Sequence, residues 1–431
     1  MRPDAVTQTV LAHGLGGSTD LPIPVTYALI GAAWALTFTF AVVALAWRKP
    51  RFDPEKPGLA LPRWVTTAVD APATRWTVGL LALAFAGWVA VAAVVGPPGS
   101  GNPLPGVFYV LLWVGIVALS VFFGPVWRVL SPVRTIMRLL RLSRDAYPPR
   151  LGYWPAAAGL FAFVWLELAS PDPGSVGAVR IWLLVYLAVT LSGAAACGTR
   201  WCSHADPFEV YSVVASRCAP VRRGADGQIA IGNPFNHLPT LPIRPATVTV
   251  LAVLLGSTAF DSFSATPTWR GFVAAHATGT WQVTSLKTVG LAVFVTTVAL
   301  SFSLAARATG GVDRARRRQL PGLMAHSLIP IVIGYVFAHY LTYLVEKGQQ
   351  TVFQLLGRHD AHVYYVLSMH PSALATTKVL FVVGGHIAGV IAAHDSALRI
   401  LPKRHQLTGQ LAMMLVMVGY TFTGLYLLFG A

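Results

Sequence analysis

Apolar residues in this chain run in long blocks, with polar residues gathered between them. Ten blocks stand out: 25–47, 77–97, 105–124, 154–170, 178–197, 245–263, 285–306, 322–345, 376–397 and 407–429. Most are about 20 residues long, enough for a helix to cross a ~30 Å hydrocarbon core. Pro and Gly punctuate the breaks, as in "GPPGSGNPLPG" (96–106) and "SPDPG" (170–174). No fixed-period repeat and no low-complexity tract interrupts the pattern. The expected fold is all-α, a polytopic membrane bundle of about ten transmembrane helices forming a single domain over 1–431.

Charge sharpens this picture. Only 11% of residues are charged, against about 25% in soluble proteins, and mean hydropathy is +0.61. A large soluble enzyme is thereby disfavoured. The loops after spans one, three, five, seven and nine carry nearly all the Arg and Lys, including Arg48, Arg138, Arg217, Arg316 and Arg404. Positive loops stay in the cytoplasm, so both termini are expected outside and the protein in the plasma membrane. The net charge of +16 is then a feature of these loops, and no nucleic-acid partner is expected. The opening residues are too short and polar for a signal peptide.

Two basic loops carry further expectations. In "GPVWRVLSPVRTIMRLLRLSR" (124–144), Arg134, Arg138 and Arg141 share one helical face. Residues 125–146 read either as an interfacial helix with its guanidinium groups near lipid phosphates or as an ordinary basic loop. The cytoplasmic loop 198–244 begins beside Cys197 and holds Cys202, His204 and Cys218. Their spacing is not that of a zinc ribbon, and reduced thiols are expected.

The candidate chemistry lies inside the spans. Span eight contains His326 and His339, and span nine contains His386, His394 and Asp395. Ionisable groups at such depth usually face a bundle interior and find partners there. If the two spans pack antiparallel, His326 and His394 share a level. His339 and His386 then lie within about 5–8 Å in depth, at ~1.5 Å per residue. Neutral imidazole is a common metal ligand, so these four histidines with Asp395 are the candidate ligands of a divalent metal. Tyr335, four residues before His339, shares its face and is a candidate hydrogen-bond donor. Asp261, at the outer end of span six, is a candidate base if it reaches His339; otherwise it pairs with Lys287 or caps backbone. Structural hydrogen bonding and a proton or ion path remain alternatives. Haem fits less well, because His326 and His339 are thirteen apart while His386 and His394 are eight apart. The outer "HDAH" (359–362) is read as solvated. There is no G-x-S-x-G elbow, Walker A lysine motif or H-E-x-x-H.

Several stretches together resemble a known family: "AHGLGGSTDLPIP" (12–24), "FFGPVWRVLSPVRT" (122–135), "ADPFEVYSVVASRCAP" (205–220), "GSTAFDSFSATPTW" (256–269) and the two histidine-bearing spans. They resemble actinobacterial polytopic membrane proteins commonly called fenitrothion hydrolases. One departure is the missing secretory-type leader before "AHG". The resemblance implies metal-dependent hydrolysis of a lipophilic organophosphate triester arriving through the lipid bilayer. A divalent ion would polarise the phosphoryl group and supply hydroxide. On that reading His339 and His386 bind the metal. His326, His394 and Asp395 form a second site or its support, and Asp261 or Tyr335 assists. The alternatives are a metal-ion or proton transporter, a haem-binding electron carrier, or a structural subunit of a complex with a partner membrane chain.

Overall fold

The computed structural model describes residues 21–56, 58–141, 146–309, 311–406 and 408–429. Among them, nine helices are long and apolar enough to cross a membrane. They are α1 (Val25–Ala46), α2 (Pro72–Val95), α3 (Leu104–Phe123), α6 (Val176–Cys197), α8 (Thr247–Ser264), α9 (Thr280–Arg307), α10 (Arg314–Leu355), α11 (Pro371–Ile400) and α12 (Leu411–Phe429). The fold is an all-α polytopic bundle in a lipid environment. The tenth expected span forms as a shorter apolar helix, α5 (Trp154–Leu168), about 22 Å long at ~1.5 Å per residue. Two short helices complete the frame, α4 (Pro132–Leu139) and α7 (Pro207–Ala215).

Burial ranks the helices. In α8 and α10, 72% of the apolar window lies inside the protein, against 17% in α2 and α6. The first pair is the centre of the bundle, and the second shows most of its surface to lipid. Around the centre, Phe108, Trp113, Phe163, Phe208 and Tyr211 form a continuous aromatic core, with the Trp113 and Phe163 rings stacked at 4.4 Å. Offset and edge contacts of this kind add to the burial of large apolar surfaces.

The register between α10 and α11 is set by glycines. A Cβ added to Gly334 would stand 2.4 Å from the Phe381 carbonyl oxygen, and one added to Gly385 would stand 2.5 Å from that of Pro330. Gly389 faces the Ser327 carbonyl in the same way. The two backbones therefore run antiparallel and nearly touch, as small residues allow in membranes. Pro330 has no N–H for the His326 carbonyl, which accepts from Ile329 instead. The backbone tightens there into a 3-10 turn, Ala325–Leu328.

The basic loops share one face. Strand β1 (Leu59–Ala60), from the loop after α1, pairs antiparallel with β3 (Ile229–Ile231). β3 pairs in turn with β2 (Val221–Arg223), and both come from the loop after α6. Arg223 and Arg75 hydrogen-bond Asp70 beside this sheet and hold its carboxyl at about 2. Gly311, after α9, packs on His405, after α11. On the opposite face, Gln354 reaches the Ser100 carbonyl and Tyr109 the Pro173 carbonyl. There Leu21 and Val25 join Leu428 and Phe429 in one cluster, so the two ends of the described chain lie together.

Arg134 departs from the expected interfacial face. It turns inward and grips the fully buried Glu209 with two nitrogens, at 2.6 and 2.7 Å. A helix break at Ser131, which caps α4 through the Arg134 N–H, aims it that way. Thr135 of α4 lies against Gly79 of α2. Residues 142–145 of the expected interfacial segment, Arg144 among them, lie outside the described residues.

Two outcomes follow. Gly385→Ala should lower the thermal midpoint in detergent, by overpacking worth about 1–3 kcal/mol. Gly384→Ala, where nothing lies within 4 Å, should leave the midpoint almost unchanged; equal melting of the two would contradict this register. Arg134→Ala leaves the buried Glu209 carboxylate with only the longer Arg128 contact at 3.5 Å and should cost up to about 3–5 kcal/mol, seen as a lower denaturation midpoint that Glu209→Gln added to Arg134→Ala partly restores.

Candidate functional site

Three central helices bring ionisable side chains together. His339 of α10 is fully buried, and its Nε2 lies 2.7 Å from Oδ2 of Asp261 on α8. Asp261 therefore reaches across the bundle to His339. The Tyr340 ring stands edge-on to the imidazole, 4.6 Å between centroids. The other ring nitrogen of His339, Nδ1, has no hydrogen-bond partner among the described residues. From α5, Glu167 brings a second carboxyl within electrostatic reach of Asp261, beside the Tyr340 hydroxyl. Its Oε2 is also buried and unpartnered among the described residues.

Local structure explains the convergence. α5 ends at Leu168, so Glu167 sits in its last turn and points into the core. Two π-helical segments, Val107–Gly115 and Tyr343–Lys347, pack together near this level. Such segments are uncommon and recur at functional sites. Glu346, in the second of them, accepts from the backbone N–H groups of Leu367 and Ser368 at 3.1 and 2.8 Å. That contact ties the loop before α11 to the mouth of the site.

The glycine register also corrects the expected depths. It places His386 opposite about residue 331, roughly 12 Å from the level of His339 at ~1.5 Å per residue. The expected His339–His386 ligand pair is thus split by two helical turns. His386 gives Nδ1 to its own helix, at the Val382 carbonyl 2.8 Å away, and its buried Nε2 is unpartnered among the described residues. The same register brings Lys378 to the level of His339. Lys378 is 1% exposed and was legible in the sequence only as the opening charge of its span.

The second expected group does not form a ligand set. His394 faces two oxygens, Gln410 Oε1 at 2.8 Å from Nδ1 and the Trp47 carbonyl at 3.0 Å from Nε2. Asp395 accepts from the Arg51 and Phe52 backbone N–H groups at 2.6 and 3.3 Å and from Arg399 at 2.7 Å. Both residues clamp the segment after α1, where Phe52 stacks on Phe235 at 4.7 Å. His326, at the matching level, keeps a buried Nε2 without a hydrogen-bond partner among the described residues. Tyr335 gives its hydroxyl to the Gly424 carbonyl on α12, 3.1 Å away, and is thereby committed to packing. Among the described residues, no three His, Cys, Asp or Glu side chains gather as metal ligands. Cys197, Cys202 and Cys218 are free thiols. His13 lies outside the described residues.

Compared with family models, curated proteins and solved structures, the chain matches none. The clamp has its own consequence: Asp395→Ala should speed proteolysis after Arg51 or Lys56 in detergent-solubilised protein. The same clip pattern from wild type and variant would show that the segment is held by other contacts.

Proposed function

We propose that this protein moves protons across the plasma membrane, with Asp261, His339 and Glu167 as the relay and the basic loops on the cytoplasmic side. The observation that carries this reading is the buried 2.7 Å contact between His339 and Asp261, with one imidazole nitrogen left over and a second carboxyl alongside. An imidazole can take a proton on one nitrogen and release one from the other. Asp261 exchanges a proton with one imidazole nitrogen, and Glu167, within electrostatic reach of Asp261, is the next carboxyl along the path. Chains of Asp, Glu and His within a bundle are the usual material of such relays.

Metal-dependent hydrolysis of a lipophilic triester, implied by the family resemblance, asks for more than this geometry supplies. It needs several ligands at one point and room for an aromatic ester beside them. The ring of His339 is fully enclosed, and the other histidines stand at different depths. A proton needs no such room. Basic-loop placement supports the cytoplasmic assignment through the bias of Lys and Arg in connecting loops.

Purified protein in liposomes with a trapped pH-sensitive dye tests the relay. Under an imposed potential, the lumen should change pH faster than in protein-free vesicles. Asp261→Asn, His339→Gln and Glu167→Gln should each slow it about a hundredfold, the low end of what a positioned acid–base group contributes. His359→Ala, in the exposed loop, should not. Wild-type flux in Asp261→Asn would sink the proposal. Nitrophenol release from a triester, requiring both His339 and an added divalent metal, would favour the hydrolase instead.

A further inference from the structure

Away from the relay, at the basic-loop end of the bundle, lies a cavity of about 10 Å³. Met324, Met413, Met414 and Met417 line it, with Phe40, His394 and Gln410 among the other wall residues. The volume suits one water-sized particle or one bare ion and nothing larger. Four of the chain's seven methionines meet here. Of the others, Met137 is buried elsewhere, Met369 is 74% exposed, and Met1 lies outside the described residues.

The arrangement is specific to this point on α12. Met413 and Met417 are four apart and share a face, with 3% and 1% exposure. Further along, the same helix buries Thr421, Gly424, Leu425 and Leu428. Methionine is therefore used where the helix borders the cavity and leucine beyond it. Met324, 2% exposed, arrives from α10, so the lining methionines come from two helices.

Methionine often fills irregular gaps in a core, and a gap-filler needs no particular chemistry around it. Here the donor set does select. Among the described residues no carboxylate and no thiol lines the cavity, and His394 and Gln410 are engaged with each other, so thioethers dominate the donor set. Thioethers are soft, neutral ligands that favour Cu(I). A single positive charge is also the least costly to hold within a bundle, and an aromatic ring such as Phe40 can add cation–π attraction.

We propose that Met324, Met413 and Met417 form a binding site for a soft monovalent cation of the Cu(I) and Ag(I) class. His394 and Gln410 close its rim through their mutual hydrogen bond. The site is separate from the proton relay and does not depend on it.

The test uses full-length protein in detergent under reducing conditions, titrated with Cu(I) against a competing chromogenic chelator. Wild type and Met137→Leu should hold one more equivalent than Met413→Leu/Met417→Leu. Copper held by Cys197, Cys202 or Cys218 is common to all these proteins and cancels in the comparison. Leucine keeps the volume and should keep the fold. If the double variant does unfold, Met324→Leu, on the other helix, decides the matter by losing the same equivalent. X-ray absorption should show neutral sulfur neighbours in the wild type that the variants lack. Equal copper in wild type and folded methionine variants would overturn the site.

Discussion

Hydrocarbon offers no hydrogen bonds, so each polar group inside the bundle must find its partner within the protein. The contact between Asp261 and His339 is the strongest expression of that rule here. It joins the two most enclosed helices and fixes their relative rotation, since a quarter turn of either would separate the groups. Removing Asp261 takes from the buried imidazole the hydrogen-bond partner it has in a low dielectric, where the penalty is largest. The aromatic core around Glu167 and Tyr340 has to accommodate this pair, and so does the close approach of the two π-helical segments.

The same rule is applied differently at the two ends of the bundle. Toward the basic loops, three buried ionisable groups are held firmly. Glu209 is held by Arg134, Asp395 by Arg399 and two backbone N–H groups, and His394 by oxygens on both sides. Such groups orient and clamp, with little freedom to exchange a proton. Toward the opposite face, His339 Nδ1 and Glu167 Oε2 retain unfilled hydrogen-bonding capacity among the described residues. Unfilled capacity costs stability, and here it falls on an imidazole nitrogen and a carboxyl oxygen close to the Asp261–His339 contact. His386, with one nitrogen unpartnered among the described residues, lies along the same pair of helices between the two ends.

Backbone proximity decides which side chains meet. The glycine contacts between α10 and α11 let the helices approach closely but also lock their axial offset. That offset puts Lys378, rather than His386, at the level of His339. A slide of one helical turn, about 5.4 Å, would change the neighbours of every ionisable group on both helices. The α10–α11 seam is thus part of the relay's geometry even though its glycines carry no chemistry.

Much of the architecture was legible in the sequence. Runs of apolar residues are dictated by the thickness of the hydrocarbon, and charge between them by the cost of moving it across. Both are local properties, so the helical bundle and the grouping of basic loops could be read directly. Helix α5 was legible almost to its ends, as a span of 154–170 against Trp154–Leu168. The sequence also flagged Asp261 and His339 individually, since a charge inside an apolar run is conspicuous. It left their pairing as one of two alternatives, because they are 78 residues apart and rotation about a helix axis cannot be read from composition. It overvalued His394 and Asp395 for a related reason: their partners are mainly backbone groups of a distant segment, invisible in any pattern of side chains. Helix formation and membrane placement depend on neighbours along the chain, whereas the site depends on rotation and offset between helices, which only packing fixes.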